Sequence, residues 1–235
     1  MIRPGPWVFC WRRHRLAARL PQSPLREYLS RRMPDLNGDC SSTPFLAVDL
    51  ETTGLNPAED QILSIGWVAV DGLAIRLATA EQRWVRPTRD IPEASAVVHQ
   101  ITDDQAARGG SLGEALAQLL SALAGRVMLA HHAAVEIGFL ERACLAEYGH
   151  PCMIPTVDTL KLAQEELERR QETPRSGGLR LNALRQQYNL PRYRGHDALL
   201  DALAAAELFA AQVTHRAEGR PLPLHRVLHR PGALW

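Results

Sequence analysis

Phe45-Leu46-Ala47-Val48-Asp49-Leu50-Glu51-Thr52-Thr53-Gly54 is an apolar run closed by two acids, and its reading decides how the rest of the chain is understood. Side chains alternate faces along a strand, so Asp49 and Glu51 point the same way and repel each other unless something neutralises them. A divalent cation would do so. Two solvated acids at a strand end are the alternative, and this stretch alone leaves both open. Thr52, Thr53 and Gly54, followed by Asn56-Pro57, break the strand, with Gly54 free to take a positive φ. The acids then lie at a strand's C-terminal mouth, where open α/β sheets usually take their ligands.

Outward from this strand the pattern is mixed. Extended runs are expected over 45–50, 62–70 and 73–87, with Asp71-Gly72 as a hairpin turn between the second and third. Helices are expected over 93–99 and 111–124, the latter with Leu112, Ala115, Leu116, Leu119, Leu120 and Leu123 at helical spacing. A short strand at 127–130 leads into a helix over 133–148. A last strand at 156–158 precedes helices near 159–171, 179–188 and 197–217. Three meandering strands followed by alternating strands and helices predict an α/β fold, a mixed five-stranded sheet with helices on its faces. Residues 173–178 read as the most flexible internal loop, and residues 219–235, with Pro221, Pro223 and Pro231, as a tail running over the surface.

The 235 residues, 46% of them hydrophobic, suffice for one sizeable core with extensions. Lys+Arg 27 against Asp+Glu 26 declares no overall affinity for nucleic acid, but the charge is unevenly spread. Residues 1–36 carry Arg3, Arg12, Arg13, Arg15, Arg19, Arg26, Arg31 and Arg32 against only Glu27 and Asp35. Residues 1–43 are therefore expected to form a basic extension with two short helices and a linker. Leu16, Leu20, Leu25, Tyr28 and Leu29 would dock on the body with the arginines outward, or the whole would be a solvated arm. Cys10, Cys40, Cys144 and Cys152 have no CxxC spacing, which suits a reducing compartment, and the cluster of Cys144, His150 and Cys152 reads as incidental rather than as a zinc site. The N-terminal apolar stretch is too short and too interrupted by arginine for a signal peptide or membrane span. A soluble, cytoplasmic protein is the expectation.

Two later segments supply what the opening acids need. Gly195-His196-Asp197-Ala198-Leu199-Leu200-Asp201 begins a long alanine-rich helix, with Asp197 as N-cap and Asp201 one turn inside, where a helix N-terminus favours acids and nearby phosphate. Ala130-His131-His132-Ala133-Ala134-Val135-Glu136 sets another acid in the first turns of a helix directly after a strand. At this point the chain resembles the DEDDh 3′-to-5′ exonucleases of the DnaQ-like, ribonuclease T-type superfamily, which includes the epsilon-subunit-like exonucleases of DNA polymerase III. Asp49 and Glu51 match the first motif, and His196 and Asp201 match the third with its spacing of five. The resemblance covers about 44–215, and Ile91 through Thr102 looks like the family's connecting region after the third strand. The second motif departs: where the family usually has asparagine, then aspartate four residues on, this chain has His132 and Glu136, followed by the expected Phe139-Leu140.

The resemblance implies a ribonuclease H-like fold over residues 44–217, flanked by the helical, arginine-rich extension (1–43) and a tail (218–235). It also implies a two-metal phosphodiester hydrolysis with two Mg²⁺ or Mn²⁺ ions. Asp49 would bridge both ions, Glu51 and Asp201 would complete the first, and Glu136 would act mainly through water on the second. His196 would be the general base. Thr52 and Thr53 would bind the terminal 3′-hydroxyl and Leu55 would wedge against the base; Phe139 is a candidate to stack on it, with a buried ring on the helix's apolar face as the alternative, and His132 is a candidate substrate contact, with a structural histidine as the alternative. Arg175, Arg180, Arg192 and Arg194 are candidates for phosphate contacts. The expected substrate is single-stranded DNA or a short oligonucleotide, with nucleoside 5′-monophosphates as product. The alternatives are a specialist for dinucleotide-sized DNA, an exoribonuclease, and a non-catalytic nucleic-acid binder on a decayed nuclease fold. No polymerase-docking tail is recognised after the last helix, and a homodimer is compatible with the family.

Overall fold

The structure, a computed structural model, describes residues 6–90 and 109–229; the helix expected over 93–99 and the connecting region at 91–102 lie outside the described residues. The central strand is β1 (Pro44–Thr52), the apolar run and its acids. Antiparallel to it lies β2 (Ile62–Asp71), which turns at Asp71-Gly72 into the edge strand β3 (Ala74–Trp84). On its other side β1 pairs in parallel with β4 (Val127–Ala130), and β4 with β5 (Thr156–Asp158). A sixth strand, β6 (Leu228–His229), pairs antiparallel with β5, giving the order β3-β2-β1-β4-β5-β6. Among the described residues the sheet is thus mixed as expected but has six strands rather than five.

That extra strand corrects the reading of the tail. Residues 222–225 hydrogen-bond back to the linker: Cys40 N–H donates to the Leu222 carbonyl, Leu224 N–H to Gly38 and His225 N–H to Leu36. Leu224 is fully buried. Pro221 and Pro223 donate none of these bonds, so composition suggested a loose tail where the chain makes a specific pairing.

Two cores follow from strand alternation. Leu46, Val48 and Leu50 face one layer, packed with the helices α3 (Leu112–Leu123) and α4 (Ala134–Tyr148). Phe45 and Ala47 face the other, under α5 (Thr159–Arg169) and the long α7 (Ala198–Ala217), with α6 (Leu181–Gln187) packed on α7. The α7 side chains on the sheet are largely small, Ala202 and Ala206 with Phe209 edge-on to Phe45 at 4.8 Å, which lets the helix lie close. α3 starts at a complete capping box, Ser111 with Glu114.

The basic extension docks. α1 (Pro6–Ala17), α2 (Pro24–Ser30) and the turn between them bury Phe9, Leu20, Leu25, Tyr28 and Leu29 in the same core as β1. Not every arginine faces outward. Arg13 is 3% exposed; its Nη1 donates to the Tyr28 hydroxyl at 2.9 Å and to the Met153 carbonyl at 2.5 Å, and its Nη2 to the Tyr28 carbonyl at 3.2 Å. The guanidinium also lies 4.5 Å over the Tyr28 ring. Burial pushes the Tyr28 phenol up to about 12, so it remains a neutral partner. Arg13→Met should cost about 2–4 kcal/mol in urea unfolding, because Tyr28 and the Met153 carbonyl lose a charged donor in a dry site. Limited proteolysis of the variant should cut first within α1 and α2; an unchanged midpoint and cutting pattern would mean that the arginine does not hold the extension.

Candidate active site

The stripe Phe45, Ala47, Asp49, Glu51 runs along one face of β1, apolar under the middle of α7 and acidic under its first turn. This is how a core strand becomes a functional one. Asp49 pairs with Gly66 on β2, and a Cβ built on Gly66 would lie 2.2 Å from the Ala198 carbonyl carbon and 2.3 Å from the Leu199 nitrogen. Only glycine lets the start of α7 press against the sheet there. The reward for that approach is Asp201, whose carboxylate comes within 4.8 Å of ligand oxygens on both Asp49 and Glu51.

The same helix start fixes His196. Asp197 caps α7 by accepting from Leu200 N–H at 3.0 Å, as its position predicts. His196 holds a left-handed φ of 67°, and its backbone N–H donates to Asp201 Oδ2 at 2.9 Å. The residue is exposed, at the rim of the acids. Asp201 is held above the usual carboxylate range by burial, opposed by the His196 N–H and reinforced by Glu51 and Asp197.

Glu136 arrives from the opposite layer, in the first turn of α4, and is 3% exposed. Its Oε2 is buried with no hydrogen-bond partner among the described residues. Burial, then the charges of Asp158 and Glu51, push its carboxyl up to about 8, against a backbone hydrogen bond that lowers it. Asp49 is raised well above the usual range by burial and by Glu136, Asp201, Glu51 and Asp197 together. A buried carboxylate oxygen without a donor, beside three converging acids, fits a hard cation with oxygen ligands.

Sequence reasoning missed Asp158. It caps α5 through Leu160 N–H, and it also accepts from His132 N–H at 3.0 Å and Ala133 N–H at 3.1 Å, capping α4, whose own N-cap Ala133 has no side chain to do so. The available signal was an acid immediately before a helical pattern. His131 was also passed over: its Nδ1 meets Thr159 Oγ1 at 2.8 Å and its Nε2 the Leu179 carbonyl at 3.0 Å, tying the mouth to the following loop. Burial holds its imidazole below the ordinary 6.5, against the opposing charge of Asp158.

The remaining expectations divide. Leu55 is 76% exposed beside the acids' strand end, free to meet a base. Thr52 Oγ1 donates to the Gly54 carbonyl at 2.6 Å, and Thr53 Oγ1 donates to Asp60 Oδ1 and accepts from Gln61 N–H, so both hydroxyl protons are committed within the loop. Gly54 does not take a positive φ; it is required because a Cβ would lie 2.4 Å from Asp60 Oδ2, the carboxylate that closes this loop. Phe139 takes the buried alternative: at 3% exposure it belongs to the core beneath α4 with Leu140 and Ala143, leaving no ring surface for a base. His132 is exposed at φ 70° on the wall of a cleft of about 880 Å³ that also contains His131, Arg175, Arg180, Arg192, His196 and Asp201.

A family profile described as "Exonuclease" matches residues 46–209. The DNA polymerase III subunit epsilon of Treponema pallidum is 32% identical over 179 residues, 74% of this chain and 78% of its own. The chain spans only 11% of PolC-type DNA polymerase III from Thermotoga maritima, at 30% identity. Among solved structures, the nuclease domain of 3′hExo, a DEDDh family member bound to rAMP, superposes with a TM-score of 0.64 at 18% identity, covering 76% of this chain and 95% of that one. E. coli exonuclease I in complex with a dT13 oligonucleotide gives a TM-score of 0.65 at 18% identity, covering 75% and 42%. The last two establish the fold alone.

Two outcomes test the site. Gly66→Val should leave a folded protein with the start of α7 displaced, weakening Mn²⁺ binding by calorimetry at least tenfold; wild-type affinity would show that the close approach is dispensable. For His131, the unfolded chain binds more protons than the folded one between about 6.5 and the lower folded value, so stability rises with pH across that window and is lost as pH falls through it. His131→Asn should flatten that acid limb in urea titrations from pH 7 to 5; an unchanged slope would assign the limb to other groups.

Proposed function

From the premise that the chain belongs to the exonuclease family and is a 3′-to-5′ exonuclease, we propose that it trims single-stranded DNA from the 3′ end, releasing nucleoside 5′-monophosphates. The observation that carries the reading is the convergence of Asp49, Glu51 and Asp201 within 4.8 Å at the rim of the cleft holding His196.

Asp49, Glu51 and Asp201 would hold one divalent cation and Glu136 would join Asp49 toward a second, Mg²⁺ or Mn²⁺ in each case. When bound, such ions activate water and neutralise charge on the scissile phosphate and leaving oxygen. His196, exposed and steadied through its backbone bond to Asp201, takes the proton from the attacking water. The new bond joins that water oxygen to phosphorus, the bond to the upstream 3′-oxygen breaks, and a proton returns to that oxygen. Leu55 presses on the terminal base. Thr52 and Thr53, their hydroxyl protons occupied, contribute a rigid backbone rather than donors to the 3′-hydroxyl. Arg175, Arg180 and Arg192 share the cleft with His196 and suit the phosphates that follow.

The oligonucleotide in the exonuclease I complex belongs to that protein, and by likeness of fold it supports single-stranded DNA here. Parallel assays on DNA and RNA of equal sequence should show DNA cleaved faster; the reverse would reassign the substrate. On 5′-labelled DNA, Asp49→Ala should abolish mononucleotide release, and His196→Ala should slow it about 10²–10⁴-fold while Mn²⁺ affinity stays within a few-fold. Undiminished turnover in both variants would refute the site.

A further inference from the structure

α1 lies outside the stretch matched by the exonuclease profile, which begins at residue 46, so nothing in that likeness assigns it a role. Its outward face is unusual for a packed helix. Arg12 and Arg15 on the helix and Arg19 in the turn that follows it lie beside Trp11, all exposed, and none of the three forms an ion pair with a described acid. Trp11 is 56% exposed even with the Arg15 guanidinium 4.8 Å over its ring. These four residues wall a concavity of about 380 Å³ whose remaining lining is apolar: Leu16, Pro151 and Met153. The helix is not free to drift, because Arg13 on its inner side is bonded to Met153 and Tyr28.

An exposed indole beside three guanidinium groups over an apolar floor matches what an unpaired base and its flanking phosphates require. Paired bases cannot present a face to the indole. A base can seat in the concavity while its flanking phosphates meet the arginines at the rim, a pairing of shape and charge that suits a single strand. The position adds a length requirement. α4 starts at the catalytic mouth and its 15 residues end just before Pro151, so its two ends are about 22 Å apart. We propose that this concavity is a second nucleic-acid site that holds upstream nucleotides of a single strand, one base stacked on Trp11 and phosphates on Arg12, Arg15 and Arg19. The purpose of the site rests on the exonuclease reading; its existence does not.

The test measures binding of the full chain in chelator, by anisotropy, to labelled oligothymidylates of 4 and 24 nucleotides. The 24-mer should bind at least tenfold tighter than the 4-mer. R12A/R15A/R19A should erase that advantage and reduce the slope of log affinity against log salt by about 2, since each phosphate contact on a single strand contributes about 0.7. W11A should weaken the 24-mer about tenfold with the slope unchanged. R12K/R15K/R19K should restore the slope. With metal, the triple alanine variant should hydrolyse the 4-mer at the wild-type rate, which also reports intact folding. Unchanged 24-mer affinity and salt slope in the triple variant overturn the proposal. So does loss of binding to phosphatidylserine vesicles with 24-mer affinity intact, which would give the face to a membrane. Should the wild-type protein hydrolyse no substrate, the catalytic reading fails while these binding constants still decide the second site.

Discussion

Burial and neighbouring carboxylates hold Asp49, Glu136 and Asp201 above the usual carboxylate range: Glu136, Asp201, Glu51 and Asp197 act on Asp49, Asp158 and Glu51 on Glu136, and Glu51 and Asp197 on Asp201. A fold gathers such groups only if other energies outweigh their repulsion. Some of the compensation is built in: Asp201 and Glu136 both occupy first helical turns, where unsatisfied N–H groups and the helix dipole favour negative charge. The rest comes from packing that gives the acids no choice, since the backbones carrying them are fixed by two apolar layers. The orphaned Glu136 oxygen is what remains uncompensated without a cation.

The position of α7 shows how packing and chemistry are coupled. Its small residues allow a close approach over the middle of β1, and Gly66 allows it at the helix's first turn. A side chain at Gly66, directly opposite Asp49, would separate helix from sheet where Asp201 must meet Asp49. On the other layer Asp158 does equivalent work with hydrogen bonds, because one carboxylate caps both α4 and α5 and so sets Glu136 relative to the strand ends. Neither residue would be found by looking for ligands.

Local signals were legible. Strand alternation with terminal acids, the Asp71-Gly72 hairpin, the Asp197 cap and the five-residue step from His196 to Asp201 are encoded within short windows, and each has its expected structural counterpart. What escaped was non-local. Gly66 matters because of Ala198, Arg13 because of Met153, and residues 222–225 because of the linker at 36–40; partners more than a hundred residues away leave no local pattern. Phe139 shows a choice that residue type leaves open, between stacking on a base and filling the core, and that only the packing beneath α4 decides.

The extension illustrates why composition alone misjudged it as a choice between docked stripe and solvated arm. A helix can be both when its two sides differ. α1 buries Phe9, Arg13 and Ala17 at a spacing of four, one inner stripe, and that stripe includes a charge only because Tyr28 and Met153 supply acceptors and an aromatic face for it. Desolvating one arginine fixes the helix's rotation about its axis, since any turn would leave the guanidinium buried without those partners. Fixing that rotation holds Trp11, Arg12, Arg15 and Arg19 over Pro151 and Met153 as a shaped surface rather than a mobile cloud of charge. The single inward arginine is therefore the reason the outward ones have a defined geometry.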